Sequence, residues 1–230
     1  MNIYVCIKQV PDTEATILVK DGKSINEAAI KWIVSPYDEY AVEEALKLKE
    51  KHAGSTVTAV CLGPERVQNA LRTALAMGAD RAVHVESSVA LDSMNTARAL
   101  AQVIRADKEY GVIFMGKQAI DDDASQLHIL LAEELAIPAA TNVLAFAFAD
   151  GKVRVEREIG EGAREVIEMT APCVVAAAGS PGMIRPWGFS AGEDNLSRRT
   201  LFRVSSTPVS ASGIFRISIF LAFMMPIIEA

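Results

Sequence analysis

"YGVIFMGKQAIDDDASQLHILLAEEL", residues 110–135, decides the fold. Its first part, Tyr110–Met115, is short and apolar, as a buried strand must be. Its last part, Leu127–Leu135, carries apolar residues at helical spacing. Between them a polar turn holds three consecutive carboxylates, Asp121, Asp122 and Asp123. A buried strand that feeds a helix through a short polar loop is one half of a βαβ unit, and open parallel sheets bind ligands where such loops leave the carboxyl ends of the strands. Asp122 or Asp123 is placed to cap the helix, and the free N–H groups at a helix start can hold a phosphate. Carboxylates repel a phosphate, so at least one of the three must face away, toward backbone donors or solvent. Gly116 allows close approach to the backbone. From spacing alone the simpler reading, a polar turn and a capped helix, stands first. Gly116-Lys117 is followed by Gln118 and completes no Walker A loop, and there is no GxGxxG.

Working outward, the same alternation repeats. Ile3–Ile7 reads as a first buried strand ending at Lys8, and an Asp21-Gly22 turn follows. Ser35 and Pro36 open a helix, "YDEYAVEEALKLKEKH", with an apolar stripe over Tyr37, Ala41, Val42, Ala45, Leu46 and Leu48. Thr56–Leu62 is a second strand, and "ERVQNALRTALAMG" a helix with Gly78 as its C-cap. "DRAVHVE" is a third strand, Asn95–Glu109 a helix, and the helix after Asp123 ends near Ile137-Pro138. Four strand–helix alternations predict a mostly parallel, doubly wound α/β sheet with helices on both faces. "FAFADGKVRVEREIGEGAREVIEM" instead alternates with period two around Asp150-Gly151 and Gly160–Gly162, as an antiparallel meander does, before "CVVAAA" returns as a buried strand. This gives a domain over 1–178 and a distinct extension over 179–230. The extension reads as irregular, and the longest uncharged stretch near its end, Ile217–Ile228, is 12 residues with Pro226 inside. A membrane span needs about 20, so a packed edge segment or a sticky tail is expected instead.

The 230 residues carry a net charge of −6, which argues against a nucleic-acid partner. Cys6, Cys61 and Cys173 are far apart, lie in expected buried strands and have no metal-ligand spacing. They read as packing residues of a reducing compartment. The first ten residues have neither signal-peptide nor transit-peptide character, so a bacterial-type cytoplasmic setting is expected. Met77 and Met115 read as core. Trp32 is expected to pack under the loop before Pro36. Asp38, Glu39, Glu43 and Glu44 read as a solvated helix face. Lys8 and Lys117 lie at strand ends on the ligand side, where either can neutralise a phosphate or simply meet solvent.

The loop "GKQAIDDDASQ" resembles the nucleotide-binding loop of the electron transfer flavoprotein beta subunit. "VCIKQVPD", "SPYDEYAVEEALKLKEK", "LGPERVQNALRTALAMGADRAVHVE" and "VEREIGEG" agree with the same family, in order, over residues 1 to about 178. The resemblance implies an alpha-subunit partner, one FAD held mainly by that subunit, and electron transfer between dehydrogenases and a quinone oxidoreductase or similar acceptor, with no catalytic residue in this chain. It also implies a structural AMP, bound by Cys6, Ser35, Pro36, Tyr37, Asp38, Leu62 and the loop residues Gly116, Lys117, Gln118, Ala119, Ile120, Asp121, Asp122, Asp123, Ala124, Ser125, Gln126 and Leu127. The physical reading is compatible: main-chain N–H groups around Asp123–Gln126 suit a phosphate, and Asp121 and Asp122 suit loop orientation or sugar hydroxyls. A bifurcating branch of the family holds a second FAD instead and tends to have glycine at the position of Asp122, so AMP is favoured here. A stand-alone stress-protein-type nucleotide module would explain the loop but not "VEREIGEG", and adenylate-forming enzymes want an SGGxDS-like loop that "CIKQVPD" does not supply.

Two departures stand out. Leu127 and His128 replace a family Thr or Val and Gly, and a lone histidine there reads as structural. After Ala178 the family's Leu-Asn-x-Pro-Arg-Tyr segment, Lys-rich helix and alpha-wrapping arm are missing, replaced by "AGSPGMIRPWGFSAGEDN". Either this is a variant docking surface or the reading frame shifts near Ala178. The abruptness of the change favours the shift. Translating the gene in the other frames past this point is then expected to reveal a Leu-Asn-x-Pro-Arg-like peptide, and its absence from both frames would rule the shift out.

Overall fold

The computed structural model describes residues 1–179 and the backbone of 200–209 and 214–220. In chain order the elements are β1 (Asn2–Cys6), β2 (Gln9–Pro11), β3 (Val19–Lys20), β4 (Ser24–Ile25), β5 (Trp32–Val34), α1 (Pro36–Lys51), β6 (Thr56–Gly63), α2 (Gln68–Met77), β7 (Arg81–Glu86), α3 (Ser93–Arg105), β8 (Tyr110–Gly116), α4 (Leu127–Leu135), β9 (Ala139–Ala149), β10 (Lys152–Gly160), β11 (Ala163–Thr170), β12 (Cys173–Ala177), β13 (Thr200–Val209) and β14 (Ile214–Phe220). Among the described residues the main sheet runs β11-β10-β9-β12-β8-β1-β6-β7-β13-β14. The strands from β9 through β12, β8, β1, β6 and β7 to β13 are mutually parallel. The two ends of the sheet are antiparallel.

Both faces are covered, because the buried strands are apolar at successive positions. In β1, Ile3 and Val5 belong to a core shared with Ala41, Val42 and Ala45 of α1 and with Leu71 and Ala74 of α2. Tyr4 and Cys6 point the other way, into a second core with Leu100 and Ile104 of α3 and Leu131 of α4. This is the period of two expected of a strand buried on both faces. β6 and β7 lie to one side of β1, whereas β8 and β12 lie to the other. The direction of winding therefore reverses between β1 and β8, and open α/β sheets form their ligand crevice at the carboxyl ends of the strands flanking such a point.

Local chemistry sets the boundaries. Pro36 occupies the first turn of α1, where its missing N–H is not needed. α3 starts at Ser93, earlier than the sequence suggests, because the Asp92 carboxylate accepts from the Asn95 N–H at 2.7 Å. It stops at Arg105, short of Glu109. The Asp107 carboxylate leaves the helix to accept from the Asn2 side chain at 2.7 Å and the Tyr4 hydroxyl at 3.0 Å. Gly78 ends α2 at φ +135°, as read from the sequence. The expected turns are present too: Asp21-Gly22 joins β3 to β4, Asp150-Gly151 joins β9 to β10, and Glu161-Gly162 joins β10 to β11, all at positive φ. Trp32 pairs with Pro11 across β5 and β2, and the Arg66 guanidinium lies 3.6 Å above its ring.

The extension departs from an irregular reading in one respect. β13 adds in parallel to β7 and β14 closes the edge, so the apolar end contributes an edge strand, while β13 falls in a stretch with no readable period. The segments at 180–199, 210–213 and 221–230, with the stretch read as replacing a docking segment, lie outside the described residues. No helix among the described residues is long and apolar enough to cross a membrane.

Phe114, in the middle of β8, is fully buried and meets Phe146 of β9 edge-on, with ring centroids 5.0 Å apart. Phe114→Ala is expected to destabilise the fold by about 3–5 kcal/mol, read as a drop in the urea midpoint with the slope unchanged.

Candidate functional site

The crevice at the strand ends is built around one buried carboxyl. Asp38, in the first turn of α1, accepts from the backbone N–H of Lys8 through Oδ2 at 2.7 Å and from that of Gly116 through Oδ1 at 2.8 Å. It thereby joins the ends of β1 and β8, two adjacent strands whose last amides have run out of ladder partners. The sequence places Asp38 on a solvated face, and that reading is corrected: Asp38 is only 6% exposed. The same holds for Glu44, which is buried and paired with Lys47 at 3.0 Å. Gly116 is required at this junction. A Cβ there would stand 2.6 Å from Asp38 Oδ1 and 2.7 Å from Tyr37 Cβ. Burial pushes the Asp38 carboxyl up to about 7, against the lowering effect of its two amide donors and of Lys8.

The acidic loop is organised by protein donors. The Lys8 ammonium meets Asp121 Oδ1 at 2.8 Å and Asp122 Oδ2 at 2.9 Å. The other oxygen of Asp122 accepts from the Ala124 N–H at 3.2 Å. Asp123 Oδ1 accepts from the Gln118 amide at 2.6 Å, and the Ser125 hydroxyl donates to Gln118 Oε1 at 3.1 Å. The Asp123 N–H reaches back to Ala119 O at 2.9 Å. Burial alone would raise Asp122, but the hydrogen bond from Lys8 and that from Ala124 leave it below the ordinary carboxylate value. Burial likewise opposes the charge on Lys8, and its two carboxylate partners hold its pKa above the ordinary one.

Neither Asp122 nor Asp123 caps the following helix, contrary to the sequence expectation. Asp123 and Ser125 adopt left-handed φ values of +48° and +52°, so the chain turns twice more before α4 begins at Leu127. Gln126 holds the N-cap position without a side-chain cap, and its amide instead donates to the Ser93 hydroxyl at 3.2 Å. As a result the N–H groups of Ser125, Gln126, Leu127 and His128 find no acceptor among the described residues. The Ser35 hydroxyl, fully buried at the start of α1, also lacks a partner there.

The remaining residues fall around this centre. Cys6 ends β1, and Leu62 lies two positions beyond its partner on β6, both against the α4-side core. Lys117 places its ammonium 5.1 Å from the Tyr37 ring centroid, and its N–H bonds Ala177 O at 2.9 Å. Leu127 packs against the α4-side core and Ile120 is half-buried. Burial holds Cys6 far above an ordinary thiol and pushes Cys61 and Cys173 up to about 12, which disfavours the nucleophilic thiolate in all three. His128 is buried, and desolvation lowers its pKa. Ser93 is the site residue that sequence reasoning missed, since a helix start after Asp92 gives no hint that it meets Gln126. A hollow of about 400 Å³ by Pro138, Lys152 and Glu168 lies on the β10–β11 side, away from the crevice.

A doubly wound sheet, with amides at its switch point that find no acceptor among the described residues, defines an open α/β protein. The chain matches the electron transfer flavoprotein domain over residues 23–194. It is 40% identical over 177 residues to the electron transfer flavoprotein subunit beta of Syntrophomonas wolfei, covering 77% of this chain and 69% of that one. The corresponding subunit of Bacillus subtilis is 41% identical over 180 residues (77% and 68%), and that of Homo sapiens 39% over 182 (77% and 71%). The chain belongs to the electron transfer flavoprotein family, as a beta subunit.

Asp38 sets a measurable expectation. Asp38→Asn turns an NH₂ toward one of the two strand-end amides and is expected to cost about 1–3 kcal/mol in urea unfolding. The folded carboxyl keeps its proton up to about pH 7, well above an unfolded aspartate, so its contribution is fully present at low pH and is lost as the pH rises through that value. The stability difference between the wild type and Asp38→Asn is therefore expected to narrow from pH 4 to pH 8.

Proposed function

We propose that this chain is the beta subunit of a heterodimeric electron transfer flavoprotein that holds AMP as a structural ligand in the β1–β8 crevice. Together with an alpha subunit it would hold the FAD that moves electrons between dehydrogenases and a quinone oxidoreductase or similar acceptor. The observation that carries the nucleotide reading is the run of N–H groups at Ser125–His128, at the entry to α4, that find no acceptor among the described residues. Such a run, reinforced by the helix dipole, suits a phosphate. Their partners reduce the repulsion that three aspartates would exert on it: Lys8 supplies one counter-charge to Asp121 and Asp122, and the Gln118 amide and the Ala124 N–H hold oxygens of Asp123 and Asp122.

The other donors and walls fit the same ligand. Ser35 offers a buried hydroxyl in need of a partner, and leaving it unmatched is costly. Cys6 and Leu62 would border the adenine on the α4 side. Gly116 keeps the floor of the crevice free of a side chain, because Asp38 and Tyr37 already fill that space. The flavin supplies the redox chemistry when bound. This chain's part is to bind, orient and exclude water, and none of the residues named here is assigned a catalytic step. Residues 1–178 would form the nucleotide-binding domain, with 179–230 as an extension of different character.

AMP is favoured over a second FAD because Asp122 is committed to Lys8 and to the Ala124 N–H, and its side chain takes up space that a dinucleotide would need. Co-expression with a candidate alpha subunit tests the whole reading. The purified complex is expected to release AMP and to show one flavin per heterodimer by its visible spectrum. A second flavin, or a complex without AMP, would overturn the assignment.

A further inference from the structure

We propose that Lys8 is a positioning residue: its ammonium latches the Asp121–Ser125 loop to the end of β1 and so presents the Ser125–His128 amides to the nucleotide phosphate. The inference rests on the AMP reading above for its ligand but on separate contacts for its mechanism. Lys8 is the residue at which two restraints meet. Its backbone N–H is held by the buried Asp38 carboxyl at 2.7 Å, and its ammonium lies 2.8 Å from Asp121 and 2.9 Å from Asp122. The main chain of residue 8 is thus fixed to α1 and β8, while its side chain reaches over the crevice to the loop that leaves β8.

Three features show why the loop needs a latch. First, it carries three successive carboxylates, and like charges this close repel one another unless a cation lies among them. Second, Asp123 and Ser125 both adopt left-handed φ, which side-chain-bearing residues hold only when their surroundings fix them. Third, Asp122 bridges two partners. One oxygen takes the Lys8 ammonium and the other the Ala124 N–H, so the cation and the first turn of the loop are joined through a single carboxylate. Removing the ammonium leaves Asp121 and Asp122 without a counter-charge and frees Asp122 to swing toward the same amides that a phosphate would use. Lys8 therefore acts through the aspartates and need not touch the nucleotide.

This differs from a direct phosphate contact in a way that experiment can separate. In the full chain, Lys8→Met is expected to weaken AMP binding by about tenfold or more, a change of about 1.4 kcal/mol. Lys8→Arg keeps a cation able to meet both carboxylates and is expected to restore most of the affinity. Because the pairs are partly exposed, the thermal midpoint of Lys8→Met should stay close to that of the wild type. The deciding measurement is made without nucleotide: the latch is expected to give faster exchange at the Ala124 amide in Lys8→Met and wild-type exchange in Lys8→Arg, whereas a direct phosphate contact would change neither. A Lys8→Met chain that binds AMP as the wild type does would overturn the latch. Hydrogen exchange at the Ala124 amide, measured without nucleotide, keeps the two readings apart. A wild-type chain that binds no AMP defeats the ligand assignment, whereas unchanged Ala124 exchange in Lys8→Met defeats the latch.

Discussion

The architecture of the ligand side depends on the Asp38 carboxyl. Parallel strands that end beside one another leave amides with no ladder partner, and water cannot reach them under the start of a helix. A single side chain from that helix serves both strands at once, one oxygen for each. This fixes three things together: the entry angle of α1, the relative ends of β1 and β8, and the absence of a side chain at residue 116. The last follows because the carboxyl and Tyr37 occupy the space a Cβ would take. Burial makes the group a poor anion, and its two amide donors keep it in place.

The acidic loop keeps an excess of negative charge, one ammonium against three carboxylates, but its carboxylate oxygens are engaged by protein donors. Lys8 answers Asp121 and Asp122, Gln118 answers Asp123, and the backbone uses the remaining capacity of Asp122. What is left unanswered among the described residues is positive in character: four amide hydrogens at the head of a helix. A loop that looks anionic in sequence therefore offers donors at the place where its chain enters α4.

Much of this was legible in the residues. The alternation of buried strands with amphipathic helices around Thr56–Leu62 and Tyr110–Met115 gave the doubly wound sheet, and the Asp150-Gly151 and Glu161-Gly162 steps gave the meander, because the physics of each is local. The loop was located by its position between strand and helix, and its family by five stretches in order. What was not legible depended on partners distant in sequence. Asp38 reads as one more acid on a charged helix until Lys8 and Gly116 are brought to it by the sheet. α4 begins at Leu127, as its spacing indicates, but its cap was not legible, because two left-handed residues, neither a glycine, separate Asp122 from the helix. Ser93 could not be associated with Gln126 without the packing of α3 beside α4. β13 had no periodic signal at all, since it is recruited by the open edge of β7.

β9 has a mechanical consequence. It is one strand of 11 residues whose first half is parallel to β12 and whose second half is antiparallel to β10, with the positive-φ Asn142 near the changeover. Three residues separate it from the end of α4, so the helix at the crevice and the outer hairpin are successive parts of one continuous span of backbone. The far end of that span is the Asp150-Gly151 turn, and force applied there runs back along β9 to the last turn of α4 through covalent bonds and not through a soft interface.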